Sequence, residues 1–273
     1  MPNLLKPLLR FVHISDTHIS QDPHYNRDAA QHTPLMGAQA LVHQLKLLPF
    51  TPDFVLHTGD VIYDPDGEAY PAAQEVLGEI EAPVYYLPGN HDDAAMLQQR
   101  MLGSENVLTP FDYEFEVNGV QVICMDSNRK AADWKGAVSA EQLAWLAERT
   151  NAQDERPLIV ALHHPVLEMG APFWDEKMCL ADGEAFHRTL LPARDRLRGV
   201  FSGHVHQNTD ITRDGITYFT ALSSWYQLHN HFNSEEGEPD RFANPGFNVV
   251  TVTHEQTYVR RHTFMVDPGS MTE

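Results

Sequence analysis

Apolar positions along this chain fall into short blocks whose period alternates between two and about three and a half. Leu8 to Ser15 reads as a strand. From Pro34 to Leu48 the residues Leu35, Ala38, Leu41, Val42, Leu45 and Leu48 recur at three- and four-residue spacing, which predicts an amphipathic helix that stops before Pro49. Phe54 to His57 is strand-like, Glu68 to Glu81 helical, Val84 to Leu87 strand-like, and Asp92 to Leu102 a short helix. The alternation gives βαβαβ, hence parallel strands joined by right-handed crossovers.

Further on, Tyr113–Val117 and Val120–Met125 flank Asn118-Gly119, a pair suited to the positive backbone angles of a two-residue hairpin turn. Ser139 to Arg149 is predicted as a helix opened by a capping box between Ser139 and Gln142. Strands follow at Leu158–Leu162, Gly199–Phe201 and Ile216–Ala221, with a helix over Gly183–Leu191 and a closing antiparallel pair at Val249–Val252 and Tyr258–Thr263. The fold class expected from pattern alone is α/β. Two stretches lack periodicity, 169–182 and 225–246, and are expected to be cap or lid segments on a single domain spanning 1–273.

Composition narrows the function. With 273 residues and a formal net charge of -19, the chain has no basic track for a nucleic-acid polymer. No apolar run is long enough to span a bilayer, and prolines break the first seven residues, so a cytoplasmic location without membrane insertion is expected. Cys124 and Cys179 are the only cysteines and support neither a disulfide framework nor a thiolate site. Histidine is abundant, with 16 residues, many inside or beside five motifs.

Those motifs are Asp16-Thr17-His18, Gly59-Asp60, Gly89-Asn90-His91-Asp92, His163-His164-Pro165 and Gly203-His204-Val205-His206. Each follows a predicted strand, where α/β proteins gather ligands. Asp16 and His18 stand two apart, as do His204 and His206, so each pair can face one side. Gly59 lets the backbone turn sharply and bring Asp60 inward. Carboxylates, an amide oxygen and imidazoles together suit a pair of divalent metals such as manganese, iron, cobalt or zinc. Such pairs serve hydrolysis at phosphorus. His13 and His57, within strands, are expected to be core residues.

The ordered series resembles the calcineurin-like metallophosphoesterase superfamily, and is most similar to its class III cyclic-nucleotide phosphodiesterase and glycerophosphodiesterase branch. The resemblance implies a two-sheet β-sandwich flanked by helices, with a dinuclear metal site at the strand ends. Carried over by motif, Asp16, His18 and His206 would hold one metal and Asn90, His163 and His204 the other, with Asp60 bridging. His163 rather than His164 is the ligand in this assignment. His91 would stabilise phosphoryl charge or protonate the leaving alkoxide, and Asp92 would orient it. His229 and His231 are candidates for one wall of a substrate pocket.

The implied activity is hydrolysis of a small phosphodiester, a cyclic nucleotide or glycerophosphodiester, by metal-activated hydroxide. Phosphomonoesterase or nucleotide pyrophosphatase activity on the same site is the alternative. A non-catalytic protein-binding scaffold would be expected to have lost ligands, and none is lost. Aromatic insertions around Phe173 and Trp225 are compatible with a homodimer or higher oligomer.

Overall fold

Period-two burial begins with the first strand. In the computed structural model, which describes residues 6–267 except 28–29, 130–133, 151–152 and 230, β1 (Leu9–Ile14) points Leu9 and Phe11 one way and Val12 and Ile14 the other. α1 (Pro34–Lys46) covers Val12 and Ile14 with Ala40, Leu41 and Leu45. It starts where expected: Thr33 accepts from the Met36 amide, and Pro34 occupies the first turn, where an absent N–H costs nothing.

β2 (Phe54–His57), α2 (Tyr70–Leu77) and β3 (Val84–Tyr86) complete the predicted βαβαβ unit, and β1, β2 and β3 run parallel. α2 is shorter than the predicted Glu68–Glu81. The Glu68 amide is taken by the Asp66 side chain in a turn, so the helix begins two residues later. The predicted Asp92–Leu102 helix is α3 (Ala94–Met96), capped by Asp93, running into a π turn over Leu97–Met101.

β4 (Tyr113–Val117) and β5 (Val120–Cys124) form the expected hairpin, with Asn118 at φ 51° and Gly119 at φ 79°. α4 (Ala140–Thr150) carries the capping box: the Ser139 amide donates to Gln142 Oε1, and the Gln142 amide donates to Ser139 Oγ. β6 (Leu158–Ala161) follows. α5 (Pro172–Lys177) occupies part of the stretch without periodicity. α6 (Gly183–Leu190), β7 (Leu197–Ser202), β8 (Asp210–Arg213) and β9 (Ile216–Thr220) come next. The two-residue strands β10 (Gln227–Leu228) and β11 (Pro239–Asp240) pair within the second aperiodic stretch, and β12 (Gly246–Val252) with β13 (Thr257–Thr263) closes the chain.

Two sheets result, ordered β13-β12-β1-β2-β3 and β4-β5-β6-β7-β9-β8. Between them lie Phe11, Phe54 and Leu56 from the first and Val122, Ile159 and Phe201 from the second, all fully buried. Phe11 stacks on Phe54 at 4.8 Å and meets Phe201 edge-on at 5.2 Å. Each such side chain contributes about 1.5–3 kcal/mol of burial free energy. α4 and α6 cover the outer face of the second sheet through Leu146, Phe186 and Leu190. This is the sandwich the resemblance implied. The parallel strands β1, β2 and β3 of one sheet and β6 and β7 of the other bring their carboxyl ends to one site. No helix among the described residues is long and apolar enough to cross a membrane. Cys124 and Cys179 are free and buried.

Candidate metal centre

The residues that leave these strand ends do so on a left-handed backbone. Asp16 (φ 55°), His18 (φ 47°), Asp60 (φ 54°), His204 (φ 71°) and His206 (φ 47°) all have positive φ, a conformation that costs a side-chain-bearing residue about 1–2 kcal/mol. The sharp turns throw their side chains back across the sandwich edge. Gly59, at φ 103°, approaches so closely that a Cβ there would lie 2.6 Å from His163 Nδ1. A Cβ on Gly203 would lie 2.6 Å from Asp16 Oδ2. Both glycines are therefore part of how the site closes.

The seven motif residues predicted as metal ligands come together. His18 Nε2 lies 2.9 Å from His206 Nε2 and 3.6 Å from Asp60 Oδ2, and His206 Nε2 lies 3.4 Å from Asp16 Oδ1. His163 Nε2 lies 3.2 Å from Asn90 Oδ1, 3.1 Å from His204 Nδ1 and 3.4 Å from Asp60 Oδ2. Asp60 thus touches both groups. Asn90 is half-buried and the other six are buried.

Backbone carbonyls fix the rings. His163 Nδ1–H donates to the Thr58 carbonyl at 2.7 Å and His206 Nδ1–H to the Tyr226 carbonyl at 2.8 Å, which turns both Nε2 atoms toward the carboxylates. Backbone amides fix the carboxylates: His204 N–H donates to Asp16, and His91 N–H to Asp60 Oδ1 at 2.9 Å. His164 stands at the edge of the same cluster: its Nδ1 lies 2.8 Å from Ser127 Oγ, its ring is 4.5 Å from that of His204, and one of its ring nitrogens comes within 4.8 Å of ligand atoms of His163 and His204.

Electrostatics complete the fit to cations. Burial alone would raise the Asp60 carboxyl, yet His163, His91 and His18 hold it well below its ordinary value. Burial disfavours a charged His163, but Asp60 lifts that imidazole to about 9. The pocket's carboxylates favour positive charge strongly. Burial, the largest influence, keeps His18 and His204 well below the ordinary imidazole value and hence neutral, with lone pairs available. Buried oxygen and imidazole donors without thiolate are what divalent transition metals take.

The family profile of the calcineurin-like phosphoesterases matches residues 9–208. The chain belongs to that family. This phosphoesterase is 27% identical to the 3′,5′-cyclic adenosine monophosphate phosphodiesterase CpdA of Vibrio vulnificus over 89% of this chain and 85% of that protein. It is 30% identical to the glycerophosphodiester phosphodiesterase GpdQ of Enterobacter lignolyticus over 80% and 78%. Its fold is similar to that of a dimetal phosphatase from Danio rerio, with a TM-score of 0.63, 15% identity and coverage of 95% of this chain and 100% of that one. Calcineurin-like phosphoesterases are hydrolases that use a dinuclear divalent metal site, and the donor set of this phosphoesterase fits one.

Beside the donors lies an open cavity of about 240 Å³. Two expectations for it are corrected. Asp92 was expected to orient His91, but its carboxylate instead accepts from the Val61, Ile62 and Gly89 amides and the Tyr70 hydroxyl, tying the second and third strand-end loops together. Burial raises that carboxyl to about 6. The His91 ring is held by the Tyr63 carbonyl, 2.7 Å from Nδ1, and by the stacked Tyr63 ring at 5.1 Å. His229 and His231 do not line the cavity. Their segment offers Tyr226, Leu228 and Gly237, while His229 faces Asp240 at 3.6 Å and His231 is exposed. Beside them stand Trp134, Phe173 and Met178, with Phe173 against Gly237 and both Phe173 and Met178 in one apolar cluster with Leu228. A main-chain carbonyl such as that of Tyr63 leaves no mark in a sequence, and Trp134 lies in no motif.

Proposed function

We propose that this phosphoesterase hydrolyses small phosphodiesters, with Asp16, His18 and His206 holding one divalent ion, Asn90, His163 and His204 a second, and Asp60 shared. The observation that carries the reading is the convergence of those seven side chains, five of which (His18, Asp60, Asn90, His204 and His206) line an open cavity whose rim is largely aromatic and apolar. A diester has a second organic substituent to cover Trp134, Phe173 and Leu228, which a monoester lacks. The names of the relatives, acting on cyclic nucleotides and glycerophosphodiesters, favour the same class.

The ions supply Lewis acidity, polarising phosphoryl oxygens and lowering the pKa of water. The chain supplies placement. With Nδ1 committed to Tyr63, His91 presents Nε2 to the cavity; protonated there, it donates to a phosphoryl oxygen and passes its proton to the departing alkoxide. Tyr63 and Tyr226 fix the His91 and His206 rings through their carbonyls. Stretches 169–182 and 225–246 form the substrate-facing rim.

The test compares bis(p-nitrophenyl) phosphate with p-nitrophenyl phosphate on manganese-loaded protein, before and after chelation and with Asn90→Ala. Faster diester cleavage that chelation and the substitution both abolish is the expected outcome. Faster monoester cleavage would replace the reading with a phosphatase.

A further inference from the structure

One cation stands in the wall of an otherwise acidic protein's substrate cavity. Arg27 is the only Lys or Arg among the described residues lining it, on a chain of net charge -19. Its surroundings differ from those of many of the other arginines. Arg100, Arg149, Arg156, Arg188, Arg213 and Arg261 each pair with a carboxylate. Among the described residues no carboxylate pairs with Arg27. Its Nη1 donates to the Tyr226 hydroxyl at 2.6 Å, and its guanidinium carbon lies 5.0 Å from the centre of the Tyr226 ring.

The contact is built rather than incidental. Asn26 Oδ1 accepts both the Arg27 amide, at 2.9 Å, and the Trp225 indole N–H, at 3.1 Å, so residues 26–27 are pinned to the segment that carries Tyr226. Tyr226 in turn packs its ring 4.5 Å from His206 and takes the His206 Nδ1 proton on its carbonyl. Arg27 therefore stands one aromatic ring beyond the metal-capable cluster. A guanidinium has five N–H donors in a fork that matches carboxylate and phosphate, and the tyrosine uses one. Among the described residues, its anchor is a neutral group.

We propose that Arg27, held by Tyr226, is a specificity-determining residue that receives a second anionic group of the substrate, a carboxylate or phosphate on the alcohol arm of the diester. The group is distinct from the phosphoryl centre because Tyr226 tethers Arg27 outward from the ligand cluster. The assignment rests on the phosphodiesterase reading above and narrows it to diesters bearing an extra anion. Charge-assisted hydrogen bonds of this kind change affinity by about 10- to 100-fold.

The test uses butyl p-nitrophenyl phosphate and 3-carboxypropyl p-nitrophenyl phosphate with manganese-loaded protein. The carboxylated ester is expected to show a kcat/KM about 10- to 100-fold higher, carried by KM. Arg27→Met brings that ratio to about one, Arg27→Lys retains part of it, and Tyr226→Phe lowers it partway. Tyr226→Phe also serves if Arg27→Met does not fold. A ratio near one in the wild type, or one that Arg27→Met leaves unchanged, overturns the proposal. Binding of 3-carboxypropyl phosphate against butyl phosphate, followed by tryptophan fluorescence, separates the two readings. If neither ester is cleaved but the wild type still prefers the carboxylated ligand and Arg27→Met does not, the phosphodiesterase reading fails and the role of Arg27 stands. If both esters are cleaved equally, the phosphodiesterase reading stands and the role of Arg27 fails.

Discussion

The floor and the rim of the cavity are built by opposite rules. On the floor, six of seven candidate ligands are buried, each leaves a strand end, and their rings and carboxylates are held by main-chain groups such as the Thr58 carbonyl and the His204 amide. On the rim, Trp134 is 48% exposed, Phe173 is half-buried, and the contacts join segments far apart in the chain, as Arg27 does with Tyr226. The floor has one geometry that packing over-determines. The rim is where a different substrate could be accommodated without disturbing the core.

The sharpest way to break the contrast is Asp60→Ala. Partners that merely orient a ligand cost about 10- to 100-fold in activity or metal affinity, so losing a side chain shared by both groups should cost more than about 100-fold. Diester kinetics with metal content measured by mass spectrometry check it. Retained activity at full metal loading would remove Asp60 from the floor. Next in size is His91→Ala, expected to lower kcat about 100-fold or more while both metals stay bound. If metal is lost as well, His91 belongs with the ligands.

Rim changes should be milder and differently distributed. Trp134→Ala or Phe173→Ala removes an aromatic face worth about 0.5–1.5 kcal/mol, so KM for an aryl diester should rise about 2- to 12-fold with the thermal midpoint nearly constant. A large fall in that midpoint would make the rim structural. An effect on stability alone lies beneath the floor, where buried His13 bonds Thr58, the residue whose carbonyl holds His163. Burial pushes His13 down to about 3 from 6.5. Its folded value is depressed, so below about pH 6.5 the unfolded chain binds a proton that the native one refuses. Stability is lost as pH falls toward 3, at no more than about 1.4 kcal/mol per pH unit. His13→Gln should flatten that dependence in urea midpoints taken at pH 7, 5.5 and 4.5. Equal slopes in the two proteins would show that His13 is charged in the native state.

The same division decides what could be read before the structure. Asp16-Thr17-His18 and Gly203-His204-Val205-His206 were legible because ligand spacing and strand ends are both local properties of the chain. β1 was legible because its apolar residues face two buried layers. β8 was not, since Asp210–Arg213 carries a single apolar residue on an edge strand. The partner of His91 was misassigned to Asp92 because adjacency in sequence is a poor guide within a tight turn, here closed by the Asp92 amide on the Gly89 carbonyl. There the Asp92 carboxylate faces the Val61, Ile62 and Gly89 amides, and the Tyr63 carbonyl does the orienting. Arg27 and Tyr226 meet across 199 residues, a separation no periodicity encodes.

The left-handed backbone at Asp16, His18, Asp60, His204 and His206 has a consequence for the history of such a chain. At each of these positions glycine would relax the main chain. Selection for a well-folded protein and selection for a working one therefore favour different residues at the same five places. A lineage released from the need for catalysis would be expected to erode there first, keeping the sandwich intact. All five positions keep a side chain that folding alone does not ask for.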